Sequence, residues 1–209
     1  MFLTTSCSAF GDLNEDPNQA TAVPTSTLLT SSLRSISDVI GGDMGILYAQ
    51  MLSETQFTEA SRYAEGHFDF NPWYTGPLAN LEEIIRLNTN ENTKESVAFS
   101  GSNNNQIAVA RILKAYFYHA MTDRWGPIPY SEALQGTANF KPKYDSQEFI
   151  YHDLFAELSE AVEQMEETEK AVQGDFLFDG DMQRWKQFAN TLHLVMALRL
   201  SEVNATKGA

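Results

Sequence analysis

The residues best suited to chemistry lie between Thr55 and Trp73, where Arg62, Tyr63, His67, Phe68, Phe70, Asn71 and Trp73 collect near several acids. Aromatic rings stack on the C–H face of a sugar, and arginine, asparagine and aspartate side chains suit its hydroxyls. Such a set grips a ligand without breaking a bond. A second reading needs no ligand: Phe68, Phe70 and Trp73 simply close the top of a helical core. On the residues alone both readings stand.

Other chemistry is poorly supplied. His67, His119, His152 and His193 share no metal-ligand spacing and form no HExxH motif. His119 and His193 fall inside helical patterns and read as packed or surface side chains. Asp175, Asp179 and Asp181 around Gly180 miss the alternating oxygens of a calcium loop and read as helix caps. There is no glycine-rich phosphate loop and no nucleophile elbow. Carboxylates are plentiful, yet no distinctive loop presents the pair a glycosidase needs. Neither metal nor cofactor is expected, and no enzymatic activity.

Composition narrows the partners. The formal net charge is −14, and no Lys or Arg precedes Arg34. Displacing counterions from phosphate needs a cationic surface, so nucleic acid is excluded as a partner. Attraction to an anionic membrane surface fails by the same sign. No apolar run is long enough for a spanning helix, so any membrane attachment is covalent or through a partner. A hydrophobic content of 43% over 209 residues supports one well-buried domain. Cys7 is the one cysteine, which rules out an internal disulfide. Small residues stand before it in Met1-Phe2-Leu3-Thr4-Thr5-Ser6-Cys7, the pattern at the end of a bacterial lipoprotein signal, although the long apolar core and basic start are missing. By itself Cys7 reads as a stray terminal thiol or as a lipidation site.

Six helices must position these residues. The first starts at Pro24-Thr25, carries Leu29, Leu33, Ile36 and Ile40, and ends at Gly41-Gly42. Asp43 caps a second bearing Met44, Leu47, Tyr48, Met51 and Leu52. A third runs from about Trp73 to Asn88. The polar stretch Asn88 to Asn105 reads as a flexible connection. The fourth helix carries Val109, Ile112, Leu113, Tyr116, Phe117, Ala120 and Met121 at 3.6-residue spacing. It stops at Gly126 and two prolines, which allow a positive φ and withhold backbone donors. Asp145-Ser146-Gln147-Glu148 has capping-box spacing and opens a fifth helix, whose acidic side reads as a solvated face. Asp181 caps a sixth, Met182 to about Val203, with Leu194 and Leu198 on a second apolar face that implies burial between neighbours. No segment alternates as a sheet strand should. The third and fourth helices are expected to pair antiparallel, as are the fifth and sixth, giving an all-α fold of stacked hairpins.

Several segments resemble the SusD/RagB family of nutrient-binding outer-membrane lipoproteins. They are Arg124-Trp125-Gly126-Pro127-Ile128-Pro129-Tyr130 behind its helix, Tyr144-Asp145-Ser146-Gln147-Glu148, the stretch Gly180 to Leu192, and the acidic run Asp12 to Asn18 after Cys7. The resemblance covers almost the whole chain in order. It implies tetratricopeptide-like stacked helical hairpins with long connecting loops, although no such period repeats in the sequence. It also implies a division into the end of a lipoprotein signal at 1–7, with Cys7 as lipid attachment, an acidic tether at 8–23, and a helical domain at 24–209 lacking its C-terminal half.

The function implied is that of a lipid-anchored protein exposed on the cell outer membrane. It would bind a glycan or oligosaccharide and deliver it to a SusC-like TonB-dependent transporter. Since the family's ligand surface is built from loops beyond the helices, Arg62, Tyr63, Phe68, Phe70 and Trp73 become ligand-binding candidates. Arg124, Trp125, Gly126, Pro127, Pro129 and Tyr130 form the structural family motif. Alternatives are a peptide-binding member of the same family, a soluble helical-repeat scaffold for protein partners, and a glycan-degrading enzyme.

Overall fold

The computed structural model describes residues 23–63 and 69–203. Cys7, all but the last residue of the tether expected at 8–23, His67 and Phe68 lie outside the described residues. The described residues are all-α apart from one short antiparallel bridge.

The elements run α1 (Thr25–Arg34), α2 (Ile36–Ile40), α3 (Met44–Tyr48), a 3₁₀ turn (Ala60–Arg62), α4 (Asn71–Trp73), a π turn (Tyr74–Leu78) and α5 (Ala79–Thr89). Then come α6 (Lys94–Val97), a 3₁₀ turn (Ala98–Ser100), α7 (Asn103–Trp125), β1 (Ile128–Pro129), a 3₁₀ turn (Gly136–Ala138), β2 (Tyr144–Asp145), α8 (Gln147–Gln164) and α9 (Met182–Leu200). The centre is α7, packed against α5 on one side and α8 on the other, with α9 against α8. Cross-links between helices fix the directions. Lys114 of α7 meets Glu82 of α5 while Asn103 meets Asn88, so α5 and α7 run antiparallel. Arg111 meets Glu157 while Gln147 meets the Thr122 carbonyl, so α7 and α8 do too. Phe155 against His193 and Glu167 against Lys186 make α8 and α9 the last antiparallel pair. These are the stacked hairpins that the pairing of helices led one to expect.

The core follows the apolar stripes. Val109, Ile112, Leu113, Phe117 and Met121 of α7 are at most 1% exposed, as are Ile150, Leu154 and Leu158 of α8 and Trp185 and Met196 of α9. Three caps have extended ψ and use their side chains: Ser102 accepts from Asn105 N–H, Ser146 from Phe149 N–H, and Asp181 from Gln183 and Arg184 N–H.

The structure corrects the reading in six places. The first helix breaks after Arg34, where serine hydroxyls bond to the backbone: Ser32 Oγ donates to the Leu28 and Pro77 carbonyls, and Ser37 Oγ to that of Arg34. Asp43 makes no side-chain cap because its own ψ of −23° is already helical, and α3 stops at Tyr48, so Met51 and Leu52 are exposed. The stretch 88–105 is no flexible connection; it carries α6, and Ser102 N–H and Ser100 C=O bond to Lys170 and Gln173 across the fold. The cap of α8 is Ser146, while the Asp145 carboxylate turns to Ser131. Ile128 and Pro129 pair with Asp145 and Tyr144, a bridge too short to show alternation. Finally Leu194 and Leu198 are 58% and 59% exposed, since α9 packs through one side only among the described residues.

Candidate functional site

The helix-ending motif does its work through Gly126. It sits at φ 73° and ψ −126°, a conformation that a side chain strongly disfavours. Its N–H bonds to the Thr122 carbonyl and its own carbonyl accepts from Thr122 Oγ, each at 2.8 Å. The chain thereby turns back, burying Ile128 completely and pairing β1 with β2. Arg124 lies over the Trp125 ring at 5.0 Å, and Trp125 meets Phe70 and Trp73 edge-to-face at 5.7 and 5.8 Å. The Pro129 carbonyl accepts from the Tyr74 hydroxyl. Tyr130 packs on Tyr118 at 4.7 Å and donates to Asp153 at 2.7 Å. Burial, then neighbouring Tyr144 and Asp145, pushes the Tyr74 phenol up, so it stays a donor.

Pinned this way, Phe70 and Tyr74 form one wall of a groove of about 610 Å³. α5 lines it too, and there Glu83 and Arg86 form a two-armed ion pair at 2.5 and 2.6 Å. The loop from Ala133 to Pro142 lines it as well and presents Phe140 at 79% exposure. Asn139, on the same loop, is fixed by bonds to Glu132 and Lys141 N–H. The loop itself is held at its root by Asp145, which accepts from Ser131 N–H at 2.7 Å and Ser131 Oγ at 2.8 Å. Burial pushes the Asp145 carboxyl up, but the Ser131 donors and the nearby Lys143 charge outweigh it and hold the group below the usual carboxylate range.

The sequence candidates separate. Phe70 both packs on Trp125, Tyr74 and Tyr144 and lines the groove. Trp73 is wedged against Phe117 and Trp125 and closes the core rather than lining the groove. Arg62 and Tyr63 belong to the segment beside α3: Tyr63 has a left-handed φ of 60°, stacks near Tyr48 at 5.7 Å, and donates to its carbonyl. Neither lines the groove. Phe140 escaped the sequence reading. Its signal was an aromatic residue among Asn139, Lys141 and Pro142, outside any apolar period and so without a place in a core.

Other groups considered for chemistry have structural partners. Asp175 accepts from Leu177, Phe178 and Gly180 N–H and from Trp185 Nε1, which commits it to a buried turn, and Asp181 caps α9. His119 Nε2 lies 3.1 Å from Asp123 Oδ2, and His193 meets Phe155 edge-to-face at 4.6 Å. Burial raises the Asp123 carboxyl, yet bonds from His119 and Tyr151 and the charge of Arg199 bring it below its ordinary value. The acidic side of α8 is only partly a solvated face, since Glu157 and Glu160 clamp Arg111. Among the described residues no group of His, Cys, Asp and Glu could hold a metal ion, and no helix is long and apolar enough to cross a membrane.

Fold and groove together define a helical-repeat platform with a ligand-sized, aromatic-walled surface site. The chain belongs to the SusD-like family described as starch-binding and associating with the outer membrane, whose profile matches residues 17–209. Among solved structures it is similar to a chitin-binding protein, 26% identical with a TM-score of 0.67 over 88% of this chain and 40% of that one. It is also similar to a Bacteroidetes SusD-like protein, 31% identical with a TM-score of 0.63 over 88% and 35%. A SusD/RagB family protein from Bacteroides thetaiotaomicron, 22% identical with a TM-score of 0.70 over 89% and 40%, shares the fold. The chain thus spans 40% or less of the length of these structures. No curated protein is significantly similar.

Proposed function

We propose that this chain is the helical platform of a non-catalytic, glycan-binding protein of the outer membrane, with the groove between Phe70 and Phe140 as a contact surface for sugar. The observation that carries the reading is an aromatic side chain left 79% exposed at a groove that Asn71, Asn139 and the Glu83–Arg86 ion pair also line. Such an arrangement supplies stacking and hydrogen bonding together, which sugar rings require. The family's description as starch-binding and a chitin-binding structural relative support the same ligand class.

The protein is held at the cell surface by acyl chains on Cys7, followed by a tether rich in acidic residues. It hands its ligand to a SusC-like TonB-dependent transporter, so it needs moderate affinity and release rather than reactive groups. A glycan array carrying neutral, acidic and peptide-linked probes tests the ligand class, with neutral or acidic glycans bound as the expected result. Binding to peptides alone overturns it. Metabolic labelling with a fatty acid, comparing the wild type with Cys7→Ala, tests the anchor; an unlabelled wild type overturns that part.

A further inference from the structure

The groove does not end at its loop wall. Ala133 and Leu134 also border a second cavity, of about 420 Å³, between α7, α8 and the start of the same loop, and Glu82 lines both spaces. Each space falls within the size range that holds a small ligand. The sill between them is unusual: Leu134 stands at φ 62°, a conformation that a leucine rarely adopts.

The chemistry changes across the sill. The first space is lined by Phe70, Tyr74 and Phe140 among others, while charged and polar side chains make up most of the lining of the second. Lys114 reaches Glu82, Arg111 is held by Glu157 at 2.8 Å, and the Tyr130 hydroxyl donates to Asp153 at 2.7 Å. Donors and acceptors are therefore fixed in place before any ligand arrives, which lowers the ordering cost of binding. Gln135 adds an exposed amide at the rim. The charges also decide what enters. Glu82, Asp153 and Glu157 outnumber Lys114 and Arg111, and both cations already have carboxylate partners. An anion would meet a negative wall whose cations are spent, on a chain of net charge −14. A neutral hydroxyl can donate to the carboxylates and accept from the ammonium, the guanidinium or the amide.

We infer that the two spaces are one site for a neutral oligosaccharide of at least two residues: one ring stacks between Phe70 and Phe140, and the next crosses Leu134 to hydrogen-bond beside Lys114 and Gln135. Uronate-bearing chains are refused. The inference rests on the glycan-binding reading and adds to it a length requirement and a charge preference.

Calorimetry on the full-length protein tests it, with malto- and chitooligosaccharides of increasing length and with oligogalacturonides. At least one neutral series should gain about tenfold in affinity when a second or third residue is added. Gln135→Ala and Lys114→Gln should each remove most of that gain while leaving the shortest binding sugar unaffected, and oligogalacturonides should not bind. Gln135 is exposed, and the Lys114 pair is partly solvated, so both variants should fold. Length dependence unchanged in both variants, or tighter binding of oligogalacturonides, overturns the inference. If Phe140→Ala still abolishes binding in that case, the aromatic groove survives as a sugar site. If neither neutral series binds, the inference falls, and the array decides the glycan reading separately.

Discussion

Phe140→Ala separates a binding role from a folding role more cleanly than any other substitution in the groove. The side chain is 79% exposed, so about a fifth of its surface is buried. Burying a whole phenylalanine contributes roughly 1.5–3 kcal/mol, which puts the folding cost of this truncation at about 0.3–0.6 kcal/mol. For a domain of this size that lowers the midpoint of thermal unfolding by about 2 °C or less. Stacking of a ring against a ligand is worth about 0.5–1.5 kcal/mol beyond the area it covers. With the covered area added, the loss of binding comes to about 1.4 kcal/mol or somewhat more, roughly a tenfold rise in Kd. Thermal melts read the first quantity, and calorimetry with whichever neutral oligosaccharide the array identifies reads the second. A melting point lowered by more than about 5 °C would show that Phe140 is part of the core. An unchanged Kd with an unchanged melting point would remove it from the site.

Other expectations concern the frame around the groove. Gly126→Ala meets no atom within 4 Å of the added methyl, so its cost is backbone strain alone, about 1–3 kcal/mol, read as a drop in thermal midpoint; a midpoint within error of the wild type would refute the role given to that turn. Asp175→Ala strands Trp185 Nε1 and buried backbone donors and should cost at least about 3 kcal/mol in a denaturant titration, against less than about 1 for Asp179→Ala on the exposed rim. Asp145 and Asp123 have folded-state pKa values below the ordinary 3.8, so the stability they give is fully present above that value. It is lost as pH falls through their folded pKa values, so melting points taken on the acid side should decline less steeply in Asp145→Asn than in the wild type. Equal acid slopes would show that Asp145 contributes nothing of the kind.

Much of the frame was legible in the sequence because each signal was local. The α7 stripe, the Gly-Pro stop and the Asp181 cap each follow from a few neighbouring residues, and each appears as expected. The places where the reading slipped are those where distant residues decide. Asp145 had a capping position by spacing, but Ser131, fourteen residues earlier in the chain, competes for its carboxylate. The 88–105 stretch looked free because the residues that hold it, Lys170 and Gln173, come after two further helices. Aromatic residues between Thr55 and Trp73 looked like one cluster, yet Tyr63 packs on Tyr48 while Phe70 packs on Trp125. The groove itself joins Phe70 to Phe140 across seventy residues of sequence, and the loop carrying Phe140 has no periodicity from which a partner could be inferred. Recognition of the family through Arg124 to Tyr130 gave the platform, and the platform had to be seen folded before its site could be.

The most direct test is a crystal structure of the full-length protein soaked with the neutral oligosaccharide that binds best. Density for a sugar ring lying flat against Phe140, with the next residue crossing Leu134 towards Gln135, is the result that this reading requires. Well-ordered sugar bound elsewhere, with the space between Phe70 and Phe140 empty, would contradict it.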